Sequence, residues 1–291
     1  MNSLDLRGIP RVGFGLDFQL QPPSVMRRLA DRFKGRLSHV SVVAMINEQD
    51  AKQFKQIFAG LPLVHHLSNV APGDADGPHL DRLDHLDSLS QQMGAVWCGE
   101  DIGAWSIGPY DIPYFAPPLF ERDVAQLIGE RVATVERRSS VPFLAEIPSC
   151  SFVAGRISLG EFFHEIVERS GCKLVIDVSH VFSYALYTGQ EPRDVLQSLP
   201  LGHVWEAHIA GGGAKPSEPY YYVDNHTDLI LPEVADLLAQ LVASAPSLRA
   251  VTYEFSEATP DDQVDEELTR LERLLADLSF VPSIAEPSKQ Q

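Results

Sequence analysis

Short apolar segments rich in β-branched and aromatic residues recur along this chain, with amphipathic stretches between them. Eight strands are predicted: 11–17 (RVGFGLD), 38–45 (SHVSVVAM), 61–66 (LPLVHH), 95–100 (AVWCGE), 142–147 (PFLAEI), 173–178 (KLVIDV), 203–209 (HVWEAHI) and 248–255 (LRAVTYEF). Around 119–135 and 231–241 apolar residues return every three or four positions, which gives each helix one face to bury. Strands alternating with such helices are the pattern of parallel strands joined by crossovers. The expectation is an α/β fold, a (β/α)₈ TIM barrel with a parallel eight-stranded core, as one domain over 1–280 followed by a disordered tail at 281–291. Segment 103–118, rich in aromatics, Gly and Pro, and segment 211–230 are predicted as long loops on the C-terminal face, where barrel enzymes bind substrates.

Metal-capable side chains fall at one end of the predicted strands. His65 ends the third, Asp101 follows the fourth, and Glu146, Asp177, His208 and Glu254 lie at or near the ends of the fifth to eighth. His180 stands three residues after Asp177, and Asp224 and His226 form Asp-x-His in the second long loop. Nine nitrogen and oxygen donors exceed what one tetrahedral or octahedral ion takes from protein, so a multinuclear cluster is expected. A single strand-end carboxylate is ordinarily a cap or a solvated charge. Glu146 in FLAEIP, Asp177 in LVIDV and Glu254 in VTYEF have apolar flanks that make an uncompensated charge costly, and a shared cation removes that cost. Strand alternation selects His65 over His66; only a one-residue register shift would exchange them. His39 and His203 begin strands and face the stability end, while His79, His85 and His164 fall on predicted helices. One arrangement gives His65, Asp101 and Glu146 to a first ion. It gives Glu146, Asp177, His208 and Glu254 to a second, and His180, Asp224 and His226 to a third.

Composition narrows the partners. The chain has 291 residues and a formal charge of −17, from 40 acidic against 23 basic side chains, so its field repels nucleic acid and anionic lipid. It has no apolar run of about 18 residues, and its first residues, MNSLDLRGIP, lack the basic and apolar regions of a secretory signal; a cytoplasmic protein with no membrane role is expected. Cys98, Cys150 and Cys172 are too few and scattered for a disulfide framework or a sulfur cage. No nucleophile elbow, Walker A loop or dinucleotide fingerprint is visible, and Gly211 to Gly213 read as a turn.

The stretch GCKLVIDVSHVFSYALYTGQEPRDVLQSLPLGHVWEAHIAGG, then VDNH and the VTYEF strand, resembles the multinuclear non-heme iron-dependent oxidative enzymes, within the xylose-isomerase-like TIM-barrel superfamily. That family includes the iron oxygenase of methanobactin biosynthesis. GFGLD, LPLVHHLS, GED and FLAEIPS add further landmarks, and the resemblance spans about 13–257. It implies two or three iron ions held by His65, Glu146, Asp177, His208, Asp224, His226 and Glu254. Asp101 stands where the family usually has histidine, His180 where asparagine is common, and Gly212 where a second histidine is frequent. The resemblance further implies O₂ as cosubstrate, oxidative modification of cysteine in a ribosomally synthesised precursor peptide, and a small leader-binding partner protein. Two other readings stay open. One is a divalent-metal barrel enzyme, either a sugar isomerase or an endonuclease-IV-like phosphodiesterase, to which Asp177-x-x-His180 and Asp224-x-His226 are suited. The other is a non-catalytic peptide-binding barrel.

Overall fold

The computed structural model describes residues 13–19, 21–43, 47–215 and 218–277. In chain order its first elements are β1 (Gly13–Gln19), α1 (Pro23–Arg32), β2 (His39–Val43), α2 (Glu48–Ile57), β3 (Leu63–His66), α3 (Leu80–Met93) and β4 (Ala95–Asp101). There follow β5 (Ala104–Ile107), β6 (Tyr110–Ala116), α4 (Arg122–Arg138), β7 (Phe143–Glu146), α5 (Leu159–Ser170), β8 (Lys173–Asp177), α6 (Val178–Thr188) and α7 (Pro192–Gln197). The last are β9 (Val204–Ala210), β10 (Gly212–Lys215), β11 (Glu218–Asp224), α8 (Pro232–Ser244), β12 (Ala250–Glu254) and α9 (Asp261–Asp277).

Strands β1, β2, β3, β4, β7, β8, β9 and β12 pair in that order, all parallel, and β12 closes back on β1. Each predicted strand has its counterpart, and the parallel barrel is the observed fold. Positions 11–12, 44–45 and the predicted tail at 281–291 lie outside the described residues. The two predicted loops are not irregular throughout. Each carries an antiparallel hairpin, β5–β6 after β4 and β10–β11 after β9.

Apolar residues pointing outward from the strands pack under the helices, while Val64, Trp97, Leu144, Val175, Trp205 and Ala250 form a separate plug inside the barrel. Register shifts assist the plug. Leu174 pairs with Val204 but Val175 pairs with Glu206, so β9 gains one residue at Trp205. Above the plug the inward positions become polar, and that change positions the site. Local signals fix helix starts: Ser158 and Glu161 form a reciprocal capping box on α5, and Asp177 caps α6. Among the described residues, no helix is long and apolar enough to cross a membrane.

Candidate metal centre

The strands deliver acids and histidines to the C-terminal mouth through simple alternation. On β12 Ala250, Thr252 and Glu254 face inward, and Glu254 lies beside Asp17 of β1. On β4 and β7 the last inward pair is Asp101 with Glu146, and on β8 and β9 it is Asp177 with His208. Asp17, Asp101, Glu146, Asp177, His208 and Glu254 are all at most 6% exposed, which places six ionisable groups in a region where charge is expensive unless compensated.

Histidines sit between these carboxylates. His66 Nε2 lies 3.2 Å from Glu146 Oε2 and 3.6 Å from Asp101 Oδ2, while its Nδ1 lies 3.7 Å from Glu254 Oε1. His208 Nδ1 lies 3.1 Å from Glu146 Oε1 and 3.2 Å from Glu254 Oε1. His180 Nδ1 is 2.6 Å from the Ile147 carbonyl, and its Nε2 is 2.9 Å from Asp224 Oδ2. A ring that donates its Nδ1 proton to that carbonyl turns an Nε2 lone pair toward the carboxylate unless a second proton or a cation intervenes. His226 Nε2 lies 3.2 Å from Asp224 Oδ1 and 3.7 Å from Glu254 Oε2.

Two backbone features aim these groups. Asp177 Oδ1 accepts from Ser179 N at 2.5 Å and His180 N at 3.1 Å, so one oxygen caps α6 while Oδ2 has no hydrogen-bond partner. His226 has φ of 56°, a conformation that costs a non-glycine residue about 1–3 kcal/mol. Its amide bonds Gly211 O at 3.0 Å, and its carbonyl accepts from Ser256 N at 3.0 Å and Thr259 Oγ1 at 2.8 Å, contacts that hold it there.

Burial and then Glu254 push Asp17 up to about 6, and burial and then Glu146 do the same for Asp101. Burial also raises Asp177 to about 6, against the pull of His180. Burial opposes charge on Glu146 too, but His208 and His66 outweigh it and hold this carboxyl well below its usual range. For His208 burial favours the neutral ring, and Glu146 and Glu254 reverse that, raising it well above the ordinary value. His226 is raised to about 10, with Asp224 overcoming burial.

Each of four donor sets has its ligand atoms within 4.8 Å of one another: His66, Glu146 and His208; Asp17, His66 and Glu254; Asp101, Glu146 and His180; and Asp177, His208 and Glu254. Asp17 Oδ1, His66 Nδ1, Asp101 Oδ1, both Glu146 oxygens, Asp177 Oδ2, His208 Nδ1 and Asp224 Oδ1 lack a hydrogen-bond partner. Buried polar atoms are normally paired. Acceptors gathered face to face fit divalent cations, with hard oxygen and borderline nitrogen donors suited to first-row transition metals.

Eight of the sequence-predicted residues, Asp101, Glu146, Asp177, His180, His208, Asp224, His226 and Glu254, meet at this mouth through the contacts above. His65 does not. It pairs with Val42 and Cys98 on the outward side of β3, and its Nδ1 lies 2.7 Å from Ser90 Oγ of α3. Burial lowers it to about 3, so it is a neutral packing residue, and His66 takes the place assigned to it. The strand ends at His66 as predicted, but Val64 and His66 rather than Leu63 and His65 face the barrel interior. Asp17 was also missed, although the GFGLD strand end carried the same signal as LVIDV. His180 groups with Asp101 and Glu146 as well as with Asp224, so the expected separate third set is not isolated. Gly211 to Gly213 enter β10, where Gly212 lies opposite Asp224.

Above the acids lies a cavity of about 150 Å³, bounded by Trp105, Tyr114 and Phe115 of the β5–β6 hairpin and by carboxylates and histidines below. A larger groove, about 840 Å³, lies instead on the outer helical wall between α8 and α9.

Comparison with known proteins agrees with the barrel fold. The solved barrel of endonuclease IV from Thermus thermophilus is 14% identical, with a TM-score of 0.59, over 91% of this chain and 99% of that one. A xylose isomerase domain-containing protein from Salmonella typhimurium is 14% identical, with a TM-score of 0.63, over 92% and 99%. At such identities the likeness establishes the fold. Among curated proteins, a UPF0276 protein of Streptomyces avermitilis is 26% identical over 74% of this chain and 46% of its own length. One from Caulobacter vibrioides is 24% identical over 52% and 54%. The chain thus spans about half the length of these relatives. Residues 15–276 match the family described as RiPP precursor modification enzyme MbnB/TglH/ChrH, and the chain belongs to that family.

Proposed function

We propose that this protein modifies a ribosomally synthesised precursor peptide by iron-dependent, O₂-consuming oxidation of a cysteine, with two or three iron ions at the barrel mouth. The observation that carries the reading is the set of buried, unpartnered oxygen and nitrogen atoms gathered there, in a chain of a precursor-modifying family. His66, Asp101, Glu146, Asp177, His180, His208, Asp224, His226 and Glu254 would hold the metal, and Asp17 adds a tenth side chain to the set. Glu146 and Glu254 each stand in two donor sets, so each would serve more than one ion. Iron, when bound, supplies one-electron exchange with O₂ and a Lewis acid for a thiolate.

The residues around the cavity govern access. A cavity of about 150 Å³ is small beside the roughly 300–1,000 Å³ of ordinary ligand pockets, and suits one side chain of an extended peptide better than a whole metabolite. Trp105, Tyr114 and Phe115 cover the mouth and limit water around the reacting side chain. A small partner protein that captures the peptide's leader, and a cytoplasmic setting, complete the reading. The charge of −17 argues against a DNA-cleaving role for this barrel.

The test is anaerobic purification with metal analysis, followed by O₂-uptake measurements with cysteine-containing and serine-substituted peptides. Two or three irons per chain and cysteine-dependent O₂ uptake support the proposal. Zinc with abasic-DNA cleavage, or peptide binding without turnover, would replace it.

A further inference from the structure

A polar chain runs below the mouth, through the barrel interior. Glu206 is two residues before His208 on β9, past the irregularity at Trp205, so strand alternation puts both on the inward face. Glu206 is 1% exposed. Its Oε2 accepts from Trp97 Nε1 at 2.6 Å, and its Oε1 accepts from Thr252 Oγ1 at 2.5 Å. The same Oε1 lies 3.2 Å from His208 Nε2. Thr252 gives its only proton to this carboxylate, so its oxygen accepts from His39 Nε2 at 2.9 Å. Gly15 makes room for that ring: a Cβ there would stand 2.5 Å from His39 Cε1. The donors therefore converge on Glu206: His39 donates to Thr252, Thr252 and Trp97 donate to the carboxylate, and the metal-facing ring of His208 approaches it from the opposite side.

We propose that Glu206 is a positioning residue that fixes the orientation and tautomer of His208 for metal binding through Nδ1. This rests on the reading of the mouth as a metal centre. His208 Nδ1 faces Glu146 and Glu254 at 3.1 and 3.2 Å, and a neutral imidazole that offers Nδ1 to a cation must carry its proton on Nε2. In a dry interior that proton needs an acceptor, and Glu206 Oε1 stands on that side. Trp97 and Thr252 hold the carboxylate from the other directions, so it cannot turn away without stranding their protons. A carboxylate behind a metal-binding histidine both orients the ring and makes the ligating nitrogen more basic.

The experiment titrates the full metal-free chain with Fe(II) anaerobically, and records the imidazole ¹⁵N resonances of the Zn(II)-loaded form. Wild type should show His208 bound through Nδ1 with a proton on Nε2. Glu206→Gln should weaken one class of Fe(II) site by about 10–100-fold, the usual cost of losing such a partner, and should alter the His208 resonances. Because the introduced carboxamide presents an NH₂ group to one of the surrounding donors, Glu206→Gln with Trp97→Phe serves as the variant that relieves this clash. Thr252→Val leaves the Glu206 contact to His208 intact and should cost far less affinity. Unchanged Fe(II) affinity and unchanged His208 resonances in a folded Glu206 variant, alongside a lowered melting temperature, would overturn the inference and leave Glu206 as core structure. Absence of Fe(II) binding in wild type would instead remove the metal-centre reading beneath it.

Discussion

Among the described residues, two regions bring histidine and acid side chains within ligand distance, and of the two only the barrel mouth leaves those atoms in want of a partner. In the loop between β3 and α3, Asp74, Asp76 and His79 form such a group. Asp74 is fully buried, yet its Oδ1 accepts from Trp105 N at 2.5 Å and Ser106 N at 3.1 Å, and its Oδ2 from Ser106 Oγ at 2.6 Å and His79 Nε2 at 3.1 Å. Its charge is spent on holding the β5–β6 hairpin over the mouth. At the mouth itself the acceptors face one another. Residue type brings both regions to notice, and unsatisfied bonding capacity separates a buttress from a candidate metal centre.

The strongest way to break this comparison is to remove a mouth residue. Asp177→Ala or His208→Ala should abolish metal binding and turnover while circular dichroism stays near wild type, because packed strands rather than rim residues hold the barrel. Full metal content in both variants would remove the distinction between the regions.

Neighbouring residues on β3 give the next test. His66→Ala should lose most bound metal, whereas His65→Ala should keep it and lose about 1–3 kcal/mol of stability, since it removes a buried ring and its hydrogen bond to Ser90 Oγ while that hydroxyl keeps its bond to the Leu86 carbonyl. Metal analysis and denaturant melts of the pair read the two effects separately.

A more selective change is His180→Asn, which should lower the occupancy of one ion while leaving those served by His66 and His208, as metal-resolved diffraction would reveal. A His180 ring turned away from every ion would leave a dinuclear centre.

Acidity supplies a graded test. Asp17, Asp101 and Asp177 are held up at about 6 in the metal-free protein, so metal binding must displace protons from them. The raised histidines His208 and His226 must lose protons as well, so apparent affinity should fall as pH drops below about 10 and more steeply through 6, with proton release measurable by calorimetry in buffers of different ionisation enthalpy.

The smallest effect on metal is expected from Asp74→Ala. It should cost about 1–3 kcal/mol by stranding the hairpin amides, with metal stoichiometry unchanged.

How much of this was legible in the sequence depends on the scale of the signal. The strands were readable because each is a short apolar run between helical repeats, and burial on both faces rewards that pattern. Glu146, Asp177 and Glu254 stood out because a carboxylate inside such a run has no cheap alternative to compensation. His65 and His66 could not be separated, because a one-residue register difference reverses every side chain and the four-residue β3 offers little else to fix it. Glu206 lies on the same inward face as His208 by simple alternation, but nothing local marks its role, because its partners Trp97 and Thr252 come from strands remote in sequence. The hairpins were read as loops because their Gly, Pro and aromatic content resembles turn composition more than alternation.

The account turns on whether the unpartnered mouth atoms hold a multinuclear iron centre. Its most direct measurement is a crystal structure of the anaerobically Fe(II)-loaded chain with anomalous diffraction at the iron edge. Two or three iron peaks among His66, Glu146, Asp177, His208 and Glu254, and none at Asp74 and His79, is the predicted result. A mouth without iron in protein given excess Fe(II), or iron seated instead on the Asp74 loop, would contradict it.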